Sequence, residues 1–226
     1  METKQVFDAV ANKYDLMNDI MSLGTHRYWK ECLIDWLKPY PGMNIIDVAG
    51  GTGDISRRFL KRVSGNGKAT ICDPNASMLK NGTKNVDIYE DSISRTCAFA
   101  EELPFENGSF DAYIVSFGIR NFTDIQKGLE EAMRVLKPGG RFMCLEFSKL
   151  ENSKLAKLYE TYSMVIPKIG KLVVGDEEPY KYLVDTIEKF PSQEKFSTMI
   201  RDAGFEQVEY RNIFNGVVAI HSGWKS

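Results

Sequence analysis

The sequence predicts an α/β protein: a seven-stranded, mostly parallel sheet covered by helices and finished by a C-terminal antiparallel hairpin. Three observations predict it. Between residues 43 and 147, short apolar runs alternate with amphipathic stretches of helical length. A glycine-rich turn, Asp47-Val-Ala-Gly-Gly-Thr-Gly-Asp54, follows the first of those runs. Near the C-terminus, two strand-like runs flank Phe214-Asn-Gly216, whose Asn-Gly step suits a tight hairpin turn.

In order along the chain, Val6, Val10, Tyr14, Met17 and Met21 recur at helical spacing, and a second helix spans Thr25 to Leu37 before Lys38-Pro-Tyr-Pro-Gly42. Then come a strand at Met43 to Val48, a helix at Asp54 to Val63, a strand at Ala69 to Cys72 and a helix from Asn75. Strands follow at Thr96 to Phe99 and Phe110 to Ser116, a helix at Asp124 to Leu136, and, after the Lys137-Pro-Gly-Gly140 turn, a strand at Arg141 to Phe147. Beyond Ser148 the rhythm becomes helical: Glu151 to Val174, Tyr180 to Lys189, and Gln193 to Ala203 stopped by Gly204. Phe205 to Ile213 and Gly216 to Ile220 form the hairpin.

With 226 residues, 43% of them apolar, the chain supports one core. A single domain is expected over 1–226: a helical cap at 1–40, a nucleoside-binding core at 41–148, a helical lid insertion at 149–190, and a helix and hairpin at 191–226. Its 29 basic and 31 acidic residues leave a net charge of -2, so nothing calls for a polyanion and no nucleic-acid partner is expected. Cys32, Cys72, Cys97 and Cys144 are scattered with no C-x-x-C pair, and read as reduced, buried small hydrophobes rather than metal ligands or disulfides. No metal site is expected. The N-terminal METKQVFDAVANKYD lacks the apolar core of a signal peptide, and no stretch approaches the roughly 20 apolar residues of a membrane span. The expected location is the cytoplasm, with any membrane contact peripheral.

A glycine-rich turn between a first strand and its helix lets backbone approach a bound nucleoside, because glycine has no Cβ and tolerates positive φ. Gly50, Gly51, Thr52 and Gly53 meet that need. Asp73 ends the next strand, where a carboxylate can accept both ribose hydroxyls. A dinucleotide is the obvious competitor, but G-x-G-x-x-G fails here, because Ser56 stands where the third glycine would be. S-adenosylmethionine (SAM) needs no pyrophosphate site; its methionine carboxylate can face the loop N–H groups and the helix N-terminus. SAM is therefore the expected co-substrate.

Leu103-Pro-Phe105, Phe110-Asp111 and Arg134-Val-Leu-Lys-Pro-Gly-Gly140 follow in an order similar to the later motifs of class I small-molecule methyltransferases. After the fourth strand stands Ser116-Phe-Gly-Ile-Arg-Asn121, which has neither the Asn/Asp-Pro-Pro-Tyr/Phe motif of adenine and cytosine amino-methylating enzymes nor the Pro-Cys of cytosine C5 enzymes. Nucleobase methylation is not expected.

Phe7-Asp-x-Val-Ala-x-x-Tyr-Asp-x-Met-Asn18, His26-Arg-x-Trp-Lys30, Asp47-x-Ala-Gly-Gly-Thr-Gly-Asp54, Ser116-Phe-Gly-x-Arg-Asn121, Leu145-Glu-Phe-Ser148 and Gly216-Val-Val-Ala-x-His221 together resemble the UbiE/MenG family, the C-methyltransferases of ubiquinone and menaquinone biosynthesis. The resemblance covers essentially the whole chain. It implies a class I SAM-dependent methyltransferase (Rossmann-like) fold and transfer of a methyl group to a ring carbon of a polyprenylated hydroquinone. It also implies Thr52, Asp73, Phe99, Ala100 and Ser116 as cofactor contacts. The family commonly carries Asn or Asp where Phe99 stands, so here the ring is expected to pack on adenine while the Ala100 N–H supplies polarity. Homodimers and quinone-biosynthesis complexes are the assemblies it brings into view. The sequence sets no oligomeric state and does not choose between benzenoid and naphthoid quinols.

Carbon methylation requires a hydroquinone proton to leave, and a phenol ionises near pKa 10. Arg120 suits stabilisation of the resulting anion; its alternative is a structural arginine. Tyr14 and Asn18 share a helical face and either reach the ring oxygens or pack a lid. Asn121 belongs to the same unit as Arg120. His26 offers a base on its ordinary pKa, or a structural helix-start histidine beside Trp29. Lys154, Lys157, Lys168 and Lys171 interleave with apolar residues between Ser153 and Gly175, a pattern of a headgroup-level helix at the inner face of a membrane or of an ordinary cap. Two other classes stay open at this point: a small-molecule methyltransferase for an oxygen or sterol-type acceptor, and a SAM-binding partner protein without turnover.

Overall fold

A computed structural model describes residues 22, 24–83, 88–150 and 178–226, with side chains in the last stretch from residue 181. Seven strands form one sheet: β1 Met43–Val48, β2 Gly67–Cys72, β3 Ile93–Thr96, β4 Phe110–Ser116, β5 Leu136–Phe147, β6 Glu206–Ile213 and β7 Val218–Trp224. Their order is β3-β2-β1-β4-β5-β7-β6, with β7 antiparallel to both of its neighbours and the other pairs parallel. The expected mostly parallel sheet with a terminal antiparallel hairpin is the one observed.

Among the described residues the helices are α1 His26–Leu37, α2 Asp54–Arg62, α3 Ala76–Gly82, α4 Ile125–Val135, α5 Glu178–Lys189 and α6 Gln193–Asp202. β1 and β4 read as near-continuous apolar runs because both faces of the sheet are covered. On one face Trp29, Leu33, Trp36 and Leu37 of α1 and Ile55, Phe59 and Leu60 of α2 pack on Ile45, Ile114 and Leu145. On the other, Leu129, Ala132 and Val135 of α4 and Phe196 and Ile200 of α6 pack on Ile46, Val48, Tyr113 and Phe142. Each fully buried aliphatic or aromatic side chain contributes about 1.5–3 kcal/mol, so these two layers hold the sheet rigid beneath the loops at its ends.

Several boundaries differ from the sequence reading. β3 ends at Thr96 rather than starting there, because its register follows β2, with Ala69 opposite Ile93 and Cys72 opposite Thr96. As an edge strand that is nowhere fully buried, it carries no apolar alternation to mark it. Phe99 therefore lies in the following loop. β7 runs to Trp224, four residues beyond the expected end, because it is held between β5 and β6. The hairpin connection is a short 3-10 turn, Phe214–Gly216, with Asn215 at φ 56°. Lys137 to Gly140 sits inside β5 as an irregularity between the Phe110–Leu136 and Ala112–Arg141 pairings. Cys72 and Cys144 are buried as expected, but Cys32 is half-buried and Cys97, just past the edge strand, is exposed; all four are free thiols.

The helix expected around Val6 to Met21 and the one at Glu151 to Val174 lie outside the described residues. Among the described residues no helix is long and apolar enough to cross a membrane.

Candidate active site

The strand order reverses at β1, which has β2 on one side and β4 on the other. In open α/β sheets that reversal leaves a crevice beyond the carboxyl ends of the strands. The loop from Ala49 to Gly53 fills its rim. Asp47, at the end of β1, is buried beneath this loop, and its Oδ2 accepts the Ser56 N–H at 3.1 Å and the Ser56 hydroxyl at 2.9 Å. Burial pushes its carboxyl up to about 7, with the two Ser56 bonds working against that rise. Gly53 precedes α2 at φ 85°, where a side chain would be strained and a Cβ would collide with the Ile71 side chain. The Arg57 guanidinium donates to the Thr52 carbonyl at 2.8 Å and so fixes the loop from within.

The loop is also tied to α1. Lys30 is buried, and its ammonium meets Asp54, the first residue of α2, at 2.8 Å. Arg58 pairs with the same carboxylate at 3.0 Å and also with Glu31. Burial would raise the Asp54 pKa, but Lys30 and Arg58 together overcome it and hold the carboxyl below its ordinary value.

Asp73 follows β2 as expected. It is buried, its Oδ2 accepts the Gly51 N–H at 2.9 Å and its Oδ1 accepts the Asn75 N–H at 2.8 Å. The second acid thus holds the glycine loop as well as facing the crevice rim. Burial raises its pKa, opposed by those two backbone bonds. Asn75 in turn caps α3, accepting from the N–H groups of Ser77 and Met78. Phe99 is 64% exposed while the adjacent Ala100 is buried, so one large aromatic face stands free beside the loop. Arg134 holds this segment, donating to the carbonyls of Leu103 at 2.8 Å and Phe105 at 2.6 Å, while Glu131 accepts the Leu103 N–H at 2.7 Å. The later motifs of the sequence are thus the brace of the Phe99–Ala100 loop. Lys137 meets Asp111 at 2.7 Å at the amino ends of β4 and β5, away from the crevice.

Beyond β4, Ser116 to Asn121 turns back over the sheet. Gly118 presses against the loop, since a Cβ there would collide with that of Ala49. The Arg120 side chain is almost fully buried: its Nη1 donates to the Phe117 carbonyl at 2.7 Å and to Glu146 Oε1 at 2.6 Å. The guanidinium lies 5.6 Å from the centroid of Phe147. Phe117 and Phe147 pack at 4.9 Å and both meet Trp29 of α1, so the one ring against this cation belongs to an aromatic cluster. Asn121 accepts the Tyr182 hydroxyl of α5 at 3.1 Å. Ser116 Oγ, Ser148 Oγ, Arg120 Nε and Glu146 Oε2 are all buried with no hydrogen-bond partner among the described residues. Buried polar atoms left this way ordinarily await a ligand or water.

The structure thus brings Gly50, Gly51, Thr52, Gly53, Asp73, Phe99, Ala100, Ser116, Arg120 and Asn121 to one end of the sheet. His26 starts α1, is buried, and has Nδ1 at 2.8 Å from the Ser22 hydroxyl. Tyr14 lies outside the described residues. Two residues not nominated from the sequence now belong to the group: Glu146, which stands in the Leu145-Glu-Phe-Ser148 motif as a lone acid within an apolar run, and Tyr182, which carries no sequence signal. The donor set fits SAM: a glycine cradle, an acid beyond the second strand, a free aromatic face and an unpartnered buried hydroxyl at the end of β4.

The sheet order and the glycine turn at its point of reversal define a SAM-dependent methyltransferase of the class I fold. The family model of the ubiE/COQ5 methyltransferase family matches residues 1–225, and the chain belongs to that family. It is 52% identical to a ubiquinone/menaquinone biosynthesis C-methyltransferase of Ruegeria sp. over 97% of this chain and 89% of that protein. It is 46% identical to a mitochondrial 2-methoxy-6-polyprenyl-1,4-benzoquinol methylase of Bos taurus, over 98% of this chain and 78% of that one. In fold it is similar to a SAM-dependent methyltransferase of Aquifex aeolicus, with a TM-score of 0.66 at 17% identity, over 93% of this chain and 98% of that chain.

Proposed function

We propose that this methyltransferase places a methyl group on a ring carbon of a polyprenylated hydroquinone in ubiquinone or menaquinone biosynthesis. Beside its family membership, one observation carries this reading: a buried arginine, Arg120, over the ring of Phe147, which packs with Phe117 and Trp29, on the segment whose Gly118 presses against the glycine loop. That combination suits an apolar ring bearing an ionisable hydroxyl, since the aromatic walls hold the ring and the guanidinium favours the oxygen anion.

SAM, when bound, supplies an electrophilic methyl group on a sulfonium. Gly50 to Gly53 would admit its methionine end, Asp73 would accept the ribose hydroxyls, Phe99 would cover adenine with the Ala100 N–H at its edge, and Ser116 would complete the contact. Arg120 would steady the ring oxygen as its proton leaves, and Asn121, oriented by Tyr182, would hold the oxygen in place. Tyr14 and Asn18 would close over the ring, and His26, buried against the Ser22 hydroxyl, is a secondary candidate for a base. Tyr28 and Phe214, 59% and 53% exposed and 6.3 Å apart beside Trp29, offer an apolar surface suited to a polyprenyl tail. The protein would then meet the membrane only peripherally, from the cytoplasmic side. Incubation with SAM and a prenylated hydroquinone lacking its ring methyl tests the reading: mass spectrometry should show one added methyl, and an unchanged mass would reject it.

A further inference from the structure

The hydroquinone proton needs a destination, and an arginine carrying its charge at neutral pH does not supply one. We infer that Glu146 takes that proton, with its unpartnered Oε2 as the accepting atom. The assignment rests on the quinol reading above.

The geometry singles out this carboxylate. Glu146 is 1% exposed, on the interior strand β5, and its Oε1 is already occupied by Arg120 at 2.6 Å and by the Phe147 N–H at 2.8 Å. Its Oε2 has no partner among the described residues, and neither do Ser116 Oγ, Ser148 Oγ and Arg120 Nε. Ser116 pairs with Leu145, so strand alternation turns its side chain to the opposite face of the sheet from Glu146; of these groups it is Arg120 that reaches the carboxylate. A bidentate pair would use both carboxylate oxygens, whereas the Arg120 guanidinium takes Oε1 alone. One oxygen left bare in a buried site costs free energy unless something visits it.

Charge counting gives the same answer. At rest one anion, Glu146, faces one cation, Arg120. A ring oxygen anion added beside them would set two anions on one cation in a site with little water, which is costly. If the proton moves from the ring hydroxyl to Oε2, the count stays at one. The ring O–H bond breaks, an O–H bond forms on Glu146, and the electron pair left on the ring oxygen enriches the neighbouring ring carbon. After methylation that carbon gives up its own hydrogen as a proton to solvent, and the Glu146 proton returns to the ring oxygen. Burial pushes the Glu146 carboxyl up, against the pull of Arg120, and so favours proton uptake. The nearest titratable neighbour on its own strand, Cys144, is pushed well above its ordinary value by burial and stays protonated; β7 opposes Glu146 with Ala219 and so adds no charge.

Glu146→Gln is the test, because the amide keeps an oxygen for Arg120 and for the Phe147 N–H. Turnover of the purified enzyme with SAM and a demethylated hydroquinone should fall on the order of 100-fold at neutral pH, with the SAM dissociation constant and the quinol KM within about threefold. The variant's rate should climb as pH rises toward the hydroxyl's own ionisation. Glu146→Asp should be slower yet keep the wild-type pH profile. As an independent readout, infrared difference spectra on adding hydroquinone to the protein with S-adenosylhomocysteine should show a protonated-carboxyl band that E146Q lacks. A pH–rate profile of E146Q parallel to the wild type, or no such band in the wild type, would overturn the assignment. If the wild type methylates no hydroquinone at all, the quinol reading itself falls and takes this assignment with it.

Discussion

The Asp47 carboxylate lies under the glycine loop and accepts both the N–H and the hydroxyl of Ser56, at 3.1 and 2.9 Å. One buried acid thus fixes the first turn of α2 against the end of β1, and the loop between them inherits its shape. Because burial lifts this carboxyl to about 7, its ionisation is coupled to folding. In an unfolded chain it titrates near pH 4. Between about pH 4 and pH 7 the folded protein keeps a proton that the unfolded chain releases, so the contribution is full below about pH 4 and is lost as pH rises through about 7. Asp47→Asn should flatten that fall by an amount on the order of 2–4 kcal/mol. Denaturant titrations at a series of pH values check this, and an equally steep fall in the variant would contradict it.

Gly53 combines a φ of 85° with a close approach to Ile71. Gly53→Ala should cost about 1–3 kcal/mol of stability and weaken SAM binding about tenfold or more, about 1.4 kcal/mol. Thermal unfolding and calorimetry measure the two effects. A variant with wild-type SAM affinity would show that the loop does not need this conformation to bind.

Asp73 accepts the Gly51 and Asn75 N–H groups through different oxygens. Asp73→Asn can keep only one of these bonds and presents an NH2 where ribose hydroxyls need an acceptor. SAM affinity should drop by about 10–100-fold, the loss of a charged hydrogen bond. An unchanged dissociation constant by calorimetry would remove Asp73 from the site.

Arg120→Ala should lower turnover far more than SAM affinity. It should also destabilise the protein by about 3–5 kcal/mol, because it leaves Glu146 buried without its cation. Adding Glu146→Gln to that variant should recover much of the stability and none of the turnover. Full turnover in Arg120→Ala, or no stability regained in the double variant, would contradict the pairing.

Much of this architecture is legible in the sequence, for physical reasons that differ by element. β1, β4 and β5 announce themselves because strands buried on both faces need unbroken apolar runs, and Gly51 and Gly53 are visible because their positive φ favours glycine. β3 does not, since an edge strand that is only half-buried needs no such run, and its position follows from pairing with β2 alone. Asp73, Ser116 and Arg120 stand at or just beyond strand ends, where the sequence puts them, but their partners are not legible there. That Asp73 holds Gly51, that Arg134 braces the Phe99 loop and that Arg120 is matched by Glu146 are contacts between residues 22 to 31 positions apart, which periodicity cannot join. The acids Asp47 and Glu146 left one usable trace: a charged residue within an apolar strand is expensive to bury and therefore has a task.

The most direct test of the account supplies SAM carrying an isotope-labelled methyl group to the purified protein together with a prenylated hydroquinone that lacks its ring methyl, and locates the label in the product by NMR. The expected result is a label bound to a ring carbon with both ring oxygens free. A label on oxygen, or none in the lipid product, would contradict it.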